Sequence, residues 1–199
     1  QLRGLQFMGG GMISGGSTDF TSPTGVTARG DRNGTGAWPP PTHAYLTMNL
    51  KDYGSTLLSN LAVGIGLTVP FGSLTRWPSE GPFNTATTFS ALPLLDIKPT
   101  VAYKVTENVS LGLGADIYTF SGLAGEGHVE RQSVWPGGLG IPGGSRVELY
   151  GKDTAAGFNV SLLYTAVRNA DEKPLVNIGI VYRSQATLHL TGALLVNGA

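Results

Sequence analysis

Seven stretches of this chain alternate apolar with small or polar residues, and that period restricts its fold more than any other feature. In the clearest, residues 176–192, Val176, Ile178, Ile180, Tyr182, Leu188 and Leu190 fall on one face. Asn177, Gly179, Arg183, Gln185, Thr187, His189 and Thr191 fall on the other. Successive strand side chains point to opposite sides, so a period of two over this length makes one apolar and one polar face. A helix would scatter the same residues all round. Val109, Leu111, Leu113, Ala115, Ile117 and Thr119 repeat the pattern against Ser110, Gly112, Gly114, Asp116 and Tyr118. Leu61, Val63, Ile65, Leu67 and Val69 stand against Ala62, Gly64, Gly66 and Thr68. Further strands are marked by Phe158, Val160, Leu162 and Tyr164, by Ile97, Val101 and Tyr103, and by Ala44, Leu46, Met48 and Leu50. The first and weakest holds Leu5, Phe7 and Ile13 with glycines between.

A soluble antiparallel sandwich also alternates, but its outer face meets bulk water and is rich in Lys, Glu and Arg. Here the face opposite the apolar one is mostly Gly, Ser, Thr, Asn and Ala, which suits a crowded barrel lumen. Strands of about 9 to 11 residues cross a bilayer when tilted, and most of these stretches reach that length. The fold class is therefore all-β, a transmembrane antiparallel β-barrel. With 13% charged residues and no net charge, the chain has no basic excess for nucleic acid. It has no cysteine, which excludes disulfides and thiolate metal sites. The longest uncharged run, residues 54–75, contains Pro70 and several glycines and keeps the period of two, so it is strand rather than membrane helix.

Connections supply sidedness. Residues 14–37, 72–91 and 121–145 are long and rich in Gly, Pro, Ser and Thr, whereas 51–60, 106–108 and 168–173 are shorter. Long extracellular loops and short periplasmic turns are the rule in outer-membrane barrels, which puts Asp171 and Glu172 on the periplasmic side. Seven strands leave two unpaired edges, which lipid does not tolerate, so residues 1–199 are expected to be one partial barrel domain within a larger barrel.

Motifs for chemistry are few. Gly138, Gly140 and Gly143 match G-x-G-x-x-G, but they precede a strand, and a dinucleotide site needs a helix there. His43, His128 and His189 are far apart and lack ligand-like spacing, so no metal, cofactor or catalytic residue is expected. Pro70 and Gly72 interrupt a well-patterned strand in the order V-P-F-G. Proline removes a ladder donor and fixes φ, so it marks either a kink in the wall or the end of the strand.

W-P-P-P-T-H-A-Y-L from Trp38, V-G-I-G-L-T-V-P-F-G from Val63, I-K-P-T-V-A-Y-K-V from Ile97 and N-V-S-L-G-L-G from Asn108 resemble the FadL-type outer-membrane long-chain fatty acid transporters. A-G-F-N-V-S-L-L-Y from Ala156 and I-G-I-V-Y-R-S from Ile178 continue the resemblance in the same order. It implies a barrel of fourteen strands in a Gram-negative outer membrane, about seven of them here, with an N-terminal hatch and the C-terminal strands lying outside this chain. It also implies that a hydrophobic ligand lodges among the extracellular loops and leaves sideways through a kink in the third strand. Val69, Pro70, Phe71 and Gly72 match that kink, and Ala37 and Ser161 match small positions near the side opening. Arg131, in H-V-E-R, resembles the arginine that faces a bound carboxylate; a solvated loop arginine paired with Glu130 or Glu126 is the plain alternative.

A long acyl chain or arene gains nothing from a water-filled pore, whereas apolar pockets and exit into lipid avoid rehydrating it. Val134, Trp135, Leu139 and Ile141 are apolar residues in the third long loop and are candidates for an entry groove. Trp77 and Phe83 fit either such a groove or an interfacial girdle. The expectation is passive uptake of long-chain fatty acid or another hydrophobic small molecule, with outer-membrane lipid as the other partner. An importer of aromatic hydrocarbons, an adhesive barrel and a lipid-modifying enzyme are the alternatives.

Overall fold

The structure, a computed structural model, describes residues 4–11, 15–32, 42–53, 58–70, 73–124 and 126–197. Among these, fourteen strands form two seven-stranded antiparallel sheets. The first contains, side by side, β1 (Leu5–Gly11), β4 (Thr42–Asn49), β5 (Leu61–Thr68), β8 (Leu94–Lys104), β9 (Val109–Phe120), β12 (Thr154–Arg168) and β13 (Pro174–Arg183). The second contains β2 (Gly16–Thr21), β3 (Thr27–Arg32), β6 (Ser73–Arg76), β7 (Phe89–Leu92), β10 (Val129–Val134), β11 (Arg146–Lys152) and β14 (Thr191–Val196) in the matching order. Each strand of the first sheet is continued along the chain by its counterpart in the second. The molecule is an up-and-down meander of seven long strands in two storeys, a membrane wall below and an extracellular extension above.

This corrects the reading of three long segments as loops. Residues 14–37, 72–91 and 121–145 carry β2, β3, β6, β7, β10 and part of the β10–β11 hairpin, and the hairpins pair with one another through β3–β6 and β7–β10. Their strands are short and do not alternate, as in T-A-R-G-D-R of β3, because neither face meets lipid. Backbone pairing holds them without a hydrophobic period to announce it. The single stretch read across residues 176–192 is also divided: β13 ends at Arg183 and β14 begins at Thr191.

The wall has two distinct faces, set by register. Leu5, Met48, Val63, Val101, Leu113, Val160 and Tyr182 are paired in one row across all seven strands. The next row, on the opposite face, is Gln6, Thr47, Gly64, Thr100, Gly114, Asn159 and Arg183. The first face belongs in lipid, and its side chains stay open in the isolated sheet: Leu113 is 60% and Tyr182 61% exposed. The second lines the lumen. Glycines there receive neighbouring side chains. A Cβ on Gly66 would sit 3.0 Å from the Tyr45 ring, and one on Gly114 would sit 2.8 Å from Thr100 Oγ1.

Arg168 ties two periplasmic turns together. Its Nε donates to Asn108 Oδ1 at 2.9 Å, Nη1 to the Glu172 carbonyl at 2.7 Å and Nη2 to the Glu107 carbonyl. In the same turn Lys104 Nζ donates to Glu107 Oε2 at 2.5 Å, and this contact holds the Glu107 carboxyl below the usual carboxylate range. A lowered folded-state pKa means that the turn keeps this contact at neutral pH and loses it as pH falls through that lowered value. Lys104→Met is therefore expected to move the Glu107 carboxyl titration, followed by NMR, back up toward its ordinary position.

Candidate functional site

The two storeys meet along a line through the upper ends of β5 and β8. Between the pairs Thr68–Asp96 and Ser73–Leu92, the rising strand has four residues and the descending one three. One extra residue on one side is the count that a β-bulge requires, and a bulge bends a strand and interrupts its ladder. Pro70 lies in this interval and is exposed; it offers no N–H and restricts φ. On the other side of the same strand, the described pairs are His43–Thr68 below and Arg32–Thr75 above, and residues 33–41, 71 and 72 between them lie outside the described residues. Val69, 7% exposed, packs with Leu95, Leu67 and Ile97 just below the break.

Beside the break, on the lumen face, lies a cluster of buried charge. Asp96 is fully buried and Asp116 is 1% exposed. Lys98 Nζ lies 2.7 Å from Asp96 Oδ2 and 3.7 Å from Asp116 Oδ1. The β8–β9 ladder passes over Lys98 and Pro99, where proline supplies no donor. Removing one partner of a buried pair leaves an uncompensated charge. Lys98→Met is expected to destabilise the folded barrel by about 3–5 kcal/mol, measured by denaturant unfolding in lipid vesicles.

Above the break, the upper storey holds a cavity of about 750 Å³ whose lining includes Arg76, Trp77, Phe89, Glu130, Val134 and Arg146. Arg76, Phe89, Gln132 and Glu148 form one paired row on this face. The Arg76 guanidinium stands 5.5 Å from the centre of the Phe89 ring. Phe83 packs edge-on against both Phe20 and Trp77, with centroids 4.8 and 4.7 Å apart. Trp77 lies over Gly30, where a Cβ would come within 2.6 Å of the indole. These aromatic rings thus join the β2–β3 hairpin to the segment between β6 and β7.

The residues singled out from the sequence fall in different places. Val134 lines the cavity. Arg131 pairs with Ser90 and Leu149, on the face opposite Gln132, and its Nη2 donates to the Ala86 carbonyl at 2.8 Å. Trp135 closes the hairpin tip, its Nε1 donating to the Gly138 carbonyl at 3.0 Å. Ile141 sits half-buried in the same tip, and its N–H donates to the Gly138 carbonyl at 3.0 Å. Leu139 adopts φ 54° and is 90% exposed. Val69 and Pro70 flank the break. Ser161 lies on the lumen face in the row through Ala62, Ala102 and Gly112, six residues or about 20 Å below Thr68. Ala37, Phe71 and Gly72 lie outside the described residues.

Sequence reading did not anticipate Arg76, Phe89 or the Asp96–Lys98–Asp116 cluster. The charged residues were legible only as exceptions on a small-residue face, since Asp96, Lys98 and Asp116 share the polar parity of their strands.

A seven-stranded antiparallel wall, apolar toward lipid and lined with small and polar residues on its other face, is part of an outer-membrane β-barrel. The chain belongs to the outer membrane protein transport protein family (OMPP1/FadL/TodX), whose family profile matches residues 14–199. The fold is also that of a crystal structure of a Pseudomonas aeruginosa FadL homologue, with a TM-score of 0.58 and 16% identity. That match covers 98% of this chain and 45% of the homologue, so this chain spans a little under half of the homologue's length. No curated protein matches the chain. The family places the protein in the outer membrane.

Proposed function

We propose that this protein admits long-chain fatty acids passively, capturing them in the upper storey and releasing them sideways into the membrane at the break in the third long strand. The observation that carries this reading is the unequal count between the pairs Thr68–Asp96 and Ser73–Leu92, four residues against three, with Pro70 on the longer side. Lateral release suits such a ligand, because an acyl chain leaving through the wall enters lipid without passing through water. The buried charges of Asp96, Lys98 and Asp116 make the adjacent lumen wall polar and bias an apolar ligand toward the opening. Val134, Trp135, Leu139 and Ile141 provide apolar capture surface at the third hairpin, and Arg131, on the face of β10 opposite the cavity, is the cation proposed to engage the carboxylate at that hairpin. Phe71, Gly72 and Ala37 complete the opening, with Ser161 further down the route. Because this chain spans 45% of the homologue, we take the wall as one part of a fourteen-stranded barrel that further strands and an N-terminal hatch complete. Transport down a gradient calls on no catalytic residue.

The test is a titration of the detergent-folded protein with a brominated long-chain fatty acid, followed by tryptophan quenching. Saturable quenching is expected, with affinity lowered roughly tenfold in Arg131→Ala, the worth of a charge-assisted hydrogen bond. Absence of saturable quenching contradicts the carrier and favours an adhesive barrel. Uptake of neutral aromatic hydrocarbons is the second reading, favoured by the engagement of Arg131 with the Ala86 carbonyl. It is the reading to adopt if quenching saturates but is indifferent to Arg131→Ala.

A further inference from the structure

We propose that Glu126, His128 and Glu130 form a binding site for a divalent transition metal, with zinc as the best match, at the rim of the upper cavity. The three alternate in E-G-H-V-E, and their ligand atoms all lie within 4.8 Å of one another. Gly127, at φ 78°, provides the bend just before β10 that an ordinary side chain would resist. Two features give this set the character of a built site. Glu130 is 8% exposed, and Gln132 Nε2 donates to its Oε1, leaving Oε2 directed at His128 Nε2 3.7 Å away. The His128 ring is packed against Tyr150, with centroids 5.3 Å apart. A polar partner that orients a ligating carboxylate and a neighbour that orients an imidazole are the outer contacts a metal site requires.

Charge supports the same conclusion. Among the described residues, no Lys or Arg lies within ion-pair distance of Glu126 or Glu130, so the two carboxylates share only His128, which is neutral when it ligates a metal. A divalent cation would compensate both. One imidazole nitrogen with two carboxylate oxygens suits zinc and its neighbours in the first transition row, whereas calcium and magnesium prefer all-oxygen shells. Glu126 and Glu130 also line the cavity, which leaves room for water to complete the coordination. The bound ion would fasten the segment that precedes β10 to the strand and so fix one wall of that cavity. This inference does not depend on the transport reading.

Calorimetric titration of the detergent-folded protein with zinc chloride tests it, with calcium chloride as competitor. The expected result is one zinc per chain, not displaced by equimolar calcium. Affinity is expected to fall by about tenfold or more in both His128→Ala and Glu126→Gln, while their far-ultraviolet circular dichroism stays that of the parent. Glu126 is exposed, so its variant keeps the fold even if a change at buried Glu130 does not. Binding only at millimolar zinc, displacement by calcium, or affinity unchanged in His128→Ala would each overturn the proposal.

Discussion

Deletion of Gly72 combined with Pro70→Ala is expected to reduce fatty acid uptake by whole cells by at least about tenfold while ligand binding stays within about twofold of the parent. The deletion removes the extra residue between Thr68 and Ser73, so that three residues face three and the β5–β6 strand can pair continuously with β7–β8. The alanine restores an N–H and frees φ at the same point. Both changes close the wall without touching the cavity lining. Release would then require the ligand to travel down a lumen whose wall carries Asp96, Lys98 and Asp116, and moving apolar surface along a polar, hydrated route is costly. A separation of uptake from binding distinguishes a closed exit from a damaged capture site. If both fall together, the bulge serves the fold instead.

The second large effect concerns the lipid face. Leu113→Arg is expected to destabilise the barrel in vesicles by about 2–4 kcal/mol, the usual cost of a cation near the bilayer midplane on a lipid-facing strand position. Leu113 is the fifth of the seven residues in the row that runs from Leu5 to Tyr182, lies near the middle of β9 and is 60% exposed on the apolar face. Thr47→Arg, on the opposite face, is the matched control and is expected to change stability by under about 1 kcal/mol, because its side chain enters a polar lumen. Denaturant unfolding followed by tryptophan fluorescence measures both. Equal costs would mean that the two faces do not differ in their surroundings.

Much of the wall was legible because lipid on one side and crowding on the other leave a strict period of two. Val109 to Ile117 alternates without a fault, and the row of pairs from Leu5 to Tyr182 follows from that parity once the strands are adjacent. The upper storey was not legible for the same reason. Its strands meet no lipid, so β3 and β10 are built from residues such as Arg29, Asp31, Glu130 and Gln132 that read as loop, and backbone pairing alone makes them strands. The stretch beyond Arg183 misled in the opposite direction. Leu188 and Leu190 keep the alternation, yet the ladder breaks between β13 and β14. At the candidate sites, Pro70 announced the break through its missing N–H, but the side chains around it depend on register. The face of Arg131 and the meeting of Arg76, Phe89 and Glu130 at one cavity depend on which strands become neighbours. A search for histidine spacing alone passed over His128, whose companions are glutamates two residues away on either side.

The most direct test of lateral release is photocrosslinking in intact outer membranes with a long-chain fatty acid that carries a diazirine at its methyl end, mapped by mass spectrometry. Adducts are expected in the upper cavity, at Trp77, Phe89 and Val134, and at the break, at Val69 and Pro70. Adducts concentrated instead at the periplasmic turns, around residues 105–108 and 169–173, would show that ligand travels the length of the lumen, and would contradict exit through the wall.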